Sequence, residues 1–93
     1  FYALVQPDGS RRHLPSTRFV AGVSERLDAF LQKVDTVVSI HGYGRHDDFW
    51  AVLVGGASRP LAHHVAGHLR GTLPEEYRVV DDVDAMPLRL RGL

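Results

Sequence analysis

Phe49-Trp50-Ala51-Val52-Leu53-Val54-Gly55-Gly56-Ala57-Ser58-Arg59-Pro60-Leu61 is the stretch that sets the fold. Its first six residues are continuously apolar, as expected of a strand covered on both faces. Gly55-Gly56-Ala57-Ser58 is a turn. Ser58 or a neighbour can cap a helix, and Pro60 suits the first turn of one. That helix is expected to run to about Leu73. Leu61, Ala62, Val65, Ala66, Leu69 and Leu73 share one side of it. Gly71 and Pro74 help to end it, and residues 77–80 read as a further short strand.

Upstream, Thr36-Val37-Val38-Ser39-Ile40 is β-branched and mostly apolar, which predicts another buried strand. Residues 18–33 are helical in pattern. Phe19, Val20, Val23, Leu27, Phe30 and Leu31 fall within about a 120° arc of a helical wheel. Glu25, Asp28 and Gln32 lie opposite, and Asp35 follows the end. Tyr2 to Gln6 is a short strand candidate. Pro7-Asp8-Gly9-Ser10 is a turn signal, Arg11 to Leu14 a returning strand, and Pro15-Ser16-Thr17 a break with helix caps. The order β, α, β, β, α, β predicts an α/β fold, a small mixed, mostly parallel sheet with helices packed on it.

The chain has 93 residues. A chain this short buries roughly 60–65% of its surface, so one domain over residues 1–93 is expected. Eleven basic residues balance eleven acidic ones. Such a chain carries no electrostatic footprint for nucleic acid. No apolar run approaches the ~20 residues that span a bilayer, so no membrane partner is expected. There is no cysteine, which excludes disulfides and thiolate metal sites. With no signal peptide at Phe1, where the opening residues read as a strand with its start cut away, a cytoplasmic location is the expectation.

His41 is the leading candidate for chemistry. It follows the most hydrophobic strand, and ligands of open α/β sheets bind beyond the carboxyl ends of strands. Gly42 and Gly44 permit a sharp turn or a close backbone approach. Tyr43 and Arg45 place a phenol and a guanidinium beside the imidazole. Zinc takes neutral imidazole, and arginine suits a carboxylate because its fork bonds in two places. The competing reading is a histidine that donates to a backbone carbonyl in a tight turn.

Asp81, Asp82 and Asp84 follow the last strand. They read as partners of a metal-bound histidine or as ligands, against a solvated acidic turn or a set of helix caps. His64 and His68 are four apart on the second helix, a spacing that can grip one metal. His64 points away from the apolar stripe and His68 lies at its border, which favours a surface pair. His63 also faces solvent, and His13 and His46 fall in loops. Gly55-Gly56 before a helix invites comparison with phosphate-binding turns. The G-x-G-x-x-G fingerprint and the Walker lysine are both missing, so a tight strand-to-helix turn is the better reading. No G-x-S-x-G elbow supports serine hydrolysis.

The run His13-Leu14-Pro15-Ser16-Thr17-Arg18-Phe19 resembles an H-x-x-S-T-x-F stretch of the poly-γ-glutamate hydrolase family, whose members are also labelled phage-related replication proteins. Val38-Ser39-Ile40-His41-Gly42-Tyr43-Gly44-Arg45 is similar to that family's strand-end histidine motif. Gly55-Gly56, the helix after it and Val79-Val80-Asp81-Asp82-Val83-Asp84-Ala85-Met86-Pro87 through Leu93 resemble its later blocks. The resemblance implies a zinc-carboxypeptidase-like fold and a zinc-dependent amidohydrolase acting on poly-γ-glutamate or related acidic peptides. It makes His41 the third zinc ligand; on that reading Tyr43 and Arg45 beside it are the candidate catalytic residues, and Arg45 and Arg59 the candidate readers of substrate carboxylates.

By the same resemblance, two further ligands come from an upstream His…Glu motif, and a later strand supplies a glutamate. Residues 1–93 then read as the middle of a longer domain. A single imidazole does not fix a tetrahedral site, so this segment alone is expected neither to hold zinc tightly nor to hydrolyse. Glu25, Glu75 and Glu76 are poorly placed for a general base. The alternatives are a non-catalytic module that binds acidic peptides and a structural domain of a phage-derived protein.

Overall fold

The computed structural model describes residues 18–42 and 46–93. The expected strands at 2–6 and 11–14, the turn at 7–10, and Pro15, Ser16, Thr17, Tyr43 and Arg45 lie outside the described residues. The chain divides into two compact units, Phe1–His41 and Gly42–Leu93.

In the first unit, helix α1 spans Glu25–Leu31. It begins later than the periodicity predicts, and the cause is local. Gly22 has φ +93°, a left-handed conformation that interrupts a helix. Ser24 is extended, and its hydroxyl accepts from the Leu27 N–H at 3.2 Å. Asp28 reaches back to accept from the Gly22 N–H at 2.8 Å. Phe19, Val20 and Val23 therefore precede the helix, and Leu27 is its buried anchor, 1% exposed. Replacing an N-cap serine with alanine costs about 1 kcal/mol. Ser24→Ala is expected to lower the local stability of α1 by that amount, measured as faster amide exchange over 27–31 with unit 2 unchanged.

The strand expected at 36–40 does not form. Residues 36–41 have no regular structure, and Val37, Val38 and Ile40 are exposed, Ile40 by 93%. Composition favours a strand there, but a strand needs a ladder, and the described ladder joins only two other segments.

Those segments belong to the second unit. β1 (Ala51–Leu53) and β2 (Arg78–Val80) pair in parallel, Ala51 with Arg78, Val52 with Val79 and Leu53 with Val80. Backbone bonds from Arg78 N–H to Trp50 C=O (2.9 Å) and from Val54 N–H to Val80 C=O (2.8 Å) extend the ladder at each end. A parallel pair needs a crossover, and helix α2 (Arg59–Thr72) supplies it, packing on β2. Ala62 and Ala66 are buried on its inner side, small side chains that let the helix approach the sheet.

The α/β class and the parallel pairing therefore hold, while a zinc-carboxypeptidase-like fold is not established. The strand at 49–54 is shorter than expected at its start. Phe49 and Trp50 form an exposed turn in which Trp50 meets Phe49 and Tyr77 edge to face, with centroids at 5.3 and 5.1 Å.

The ends of α2 also differ from expectation. Ser58 takes the N-cap position without a side-chain capping bond. Gly71 is helical, and the stop comes at Leu73, whose ψ of 149° is the extended state imposed on a residue before proline. Beyond β2, 3-10 turns at Val83–Ala85 and Leu88–Leu90 lead the chain back to Gly55-Gly56. There the Gly56 N–H donates to the Arg91 carbonyl at 2.7 Å. Met86, between the two turns of this strap, is buried, and Arg91 Nε donates to the Met86 carbonyl at 3.1 Å. No helix of the described residues is long and apolar enough to cross a membrane.

Candidate functional site

His41 closes the first unit. It stands on an exposed, irregular segment rather than at the mouth of a buried strand, because residues 36–40 join no ladder. Its Nε2 is hydrogen-bonded to the Ser39 hydroxyl at 2.8 Å. Ser39, two residues earlier in the chain, thereby holds one nitrogen of the ring. The turn-histidine alternative, an imidazole donating to a backbone carbonyl, is not what the described residues show. Tyr43 and Arg45 lie outside them.

In the second unit the side chains gather at the carboxyl end of β2. Asp81 directly follows that strand. One carboxylate oxygen accepts from Arg70 Nη2. The other accepts from His63 Nδ1 at 2.7 Å. An ionised carboxylate only accepts, so Nδ1 of His63 carries the proton of this bond. Arg59 donates to the Asp81 carbonyl and, through Nη1, to the Gly56 carbonyl at 3.1 Å. Arg70 also donates to the Val79 carbonyl at 3.1 Å. Arg59, His63 and Arg70 thus tie three levels of α2 to the end of β2. The bonds Arg59 makes to carbonyls occupy part of the five-donor fork that a substrate carboxylate would use.

The Arg70 guanidinium, and after it the His63 ring, hold the Asp81 carboxyl down to about 2 from 3.8, outweighing partial burial, which acts the other way. A carboxyl with a depressed folded-state pKa adds stability that is present above its unfolded value and lost as pH falls through the folded one. The Asp81 contribution is therefore full above about pH 4 and gone below about pH 2. Thermal melts of the wild type and Asp81→Asn should differ at neutral pH and converge across that interval. A gap in Tm that persists unchanged at pH 2 would show that the carboxylate charge is not its source.

Asp82 caps the turn at Val83–Ala85 by accepting from the Asp84 N–H at 2.9 Å, so the helix-cap reading holds for this aspartate. Asp84 is exposed, 3.5 Å from an Arg91 guanidinium nitrogen. The Gly55-Gly56 turn makes no phosphate cradle, since the Gly56 N–H is committed to Arg91. The sequence does not single out Arg70; His63 faces solvent as expected, with 58% of its side chain exposed, and also bonds to Asp81. His63 and Arg70 lie 18 and 11 positions from Asp81, and only the crossover brings them together. No local signal in the sequence marks that meeting, which follows from α2 lying beside β2. Among the described residues no three His, Asp or Glu side chains form a group that could hold a metal ion. At His41 these residues offer zinc one exposed imidazole, which alone does not make up a tetrahedral set.

No curated protein and no solved structure matches the chain significantly. A family model does: that of poly-gamma-glutamate hydrolase, over residues 1–82. The match takes in the His13–Phe19 run, the His41 motif, Gly55-Gly56, α2 and Asp81, while the resembling stretch from Val83 to Leu93 lies beyond it. With most of its length covered by that model, the chain belongs to the poly-gamma-glutamate hydrolase family.

Proposed function

We propose that the protein containing this chain is a zinc-dependent amidohydrolase that cleaves γ-glutamyl or related acidic amides, with His41 as one of its metal ligands. Family membership over residues 1–82 carries the reading. The state of His41 supports it. The imidazole is exposed, one ring nitrogen is bonded to Ser39, and the other makes no hydrogen bond to a described residue. A ring held through one nitrogen and open at the other is how metal-binding histidines are oriented.

Bound zinc would polarise the scissile carbonyl and bring the pKa of a bound water to about 7. The chain's own part is to present imidazole at His41 and cations to the substrate. Arg45 and Arg59 are proposed to read the carboxylates that every glutamyl unit carries, and Tyr43 to donate to the reacting amide. The remaining zinc ligands and the general base are proposed to come from residues other than the described ones.

The test is metal analysis of the full-length protein beside His41→Ala, with hydrolysis of poly-γ-glutamate followed in both. The expected result is loss of the active-site zinc and of hydrolysis in the variant. A variant that keeps wild-type zinc and activity defeats the proposal. Substrate binding without hydrolysis in the zinc-loaded wild type would favour the binding-module alternative.

A further inference from the structure

His64 and His68 stand one turn apart on α2, on the side away from the buried Ala62 and Ala66. Both are exposed. Their ring centroids are 4.7 Å apart at an interplanar angle of 71°. Neither imidazole is hydrogen-bonded to a described residue. His63, next in sequence, is turned onto Asp81 instead. The pair is thus separate from the Asp81 network, and both rings are open to solvent.

We propose that His64 and His68 together bind one divalent transition-metal ion, in a site distinct from the one that uses His41. Positions i and i+4 of a helix lie above one another on one face. Two imidazole nitrogens that share an ion at about 2.0–2.1 Å come to roughly 3.3 Å from each other. Exposed side chains reach that spacing by modest rotation about χ1 and χ2, and the rings already touch. Imidazole is a ligand for nickel, copper and zinc, with copper held most tightly. Water completes the coordination sphere. With only two protein ligands the affinity is micromolar or weaker.

The helix supplies the spacing, so the unfolded chain lacks the site. An ion that binds only the folded state raises the melting temperature. α2 is well suited to this, being 14 residues long and tied to β2 by Arg59, His63 and Arg70. The inference does not depend on the role proposed for His41. It does bear on how metal content is read, since an ion at His64 and His68 would survive the loss of His41.

The experiment uses the full-length protein, stripped by chelator and titrated with Ni2+ by calorimetry, with thermal melts in millimolar Ni2+. Wild type and His41→Ala are both expected to show a weak Ni2+ site and a rise in Tm of several degrees. His64→Ala and His68→Ala are each expected to weaken that site by an order of magnitude or more and to shrink the rise in step with the lost affinity. Alanine has the higher helix propensity, so these variants keep α2, which far-UV circular dichroism checks. The proposal is overturned if wild type shows no such site. It is equally overturned if either histidine variant keeps it at wild-type affinity, or if His41→Ala alone removes it.

Discussion

Gly55→Ala should unfold the second unit at a temperature roughly 10 °C or more below the wild type, from a loss of about 2–4 kcal/mol. The cause is backbone against backbone. A Cβ at Gly55 would press into the Arg91 carbonyl oxygen, lie 2.8 Å from the carbonyl carbon and stand 3.3 Å from the Leu90 carbonyl oxygen. No side-chain rotation relieves such a contact, so the returning strap must lift. Overpacking of this kind costs about 1–3 kcal/mol. The Gly56-to-Arg91 backbone bond, worth about 1 kcal/mol, would be lost with it. Met86, a buried residue of the strap itself, would open to water as well.

Two controls separate crowding from backbone conformation. Gly56 has open space at its Cβ position but φ +101°, so Gly56→Ala should cost about 1–2 kcal/mol through left-handed strain alone. Gly67 is inside α2 with nothing near its Cβ position, so Gly67→Ala should stabilise by about 0.5–1 kcal/mol. A Tm for Gly55→Ala no lower than that of Gly56→Ala would mean that the close approach of strap and turn does not contribute as described.

The same glycines show how much of the fold the sequence exposes. The apolar hexamer at 49–54, the glycine pair and the periodic helix after it mark β1, the turn and α2, because each follows from local chemistry. Proline at 74 marks the end of α2 through the conformation it forces on Leu73. That the glycine pair exists to receive Arg91 is not visible in the sequence, since the Gly56-to-Arg91 bond spans 35 positions. Residues 36–40 fail for the complementary reason. β-branched composition records a preference for extended backbone, but pairing is a property of neighbours.

In α1, the six apolar positions satisfy the helical wheel, yet Gly22 and Ser24 cut the helix to its second half. Local breakers outrank periodicity there. His41, chosen for its place after a hydrophobic run, is exposed beside Ser39, and the buried strand that was to aim it is absent among the described residues. The Asp81 cluster shows the opposite case. Its acidic residue was visible, and its partners Arg70 and His63 became so only through the β-α-β crossover.

His41→Ala is expected to lower kcat for γ-glutamyl hydrolysis by about a thousandfold in the full-length protein. On the proposed reading the imidazole is a metal ligand, and metal-assisted polarisation is worth several kcal/mol of transition-state stabilisation. At about 1.4 kcal/mol per factor of ten, that corresponds to about three decades in rate. The loss should fall on kcat together with bound zinc, and excess zinc should restore only part of it. Ser39→Ala leaves the ring but removes its hydrogen bond. Losing such an orienting partner costs about 10–100-fold in metal affinity or activity, so Ser39→Ala should lie between wild type and His41→Ala in both zinc affinity and kcat.

Arg45→Ala should act differently, raising KM for the polymer while zinc content stays at the wild-type level, because a carboxylate reader acts in binding. This ordering separates a ligand, a positioning residue and a substrate contact. A His41→Ala enzyme with wild-type kcat would remove His41 from the chemistry even if the family's activity were confirmed. A His41→Ala enzyme that loses kcat with its zinc intact would make the imidazole a proton carrier instead. Metal content and rate must therefore fall together, by amounts that follow the order Ser39→Ala, then His41→Ala.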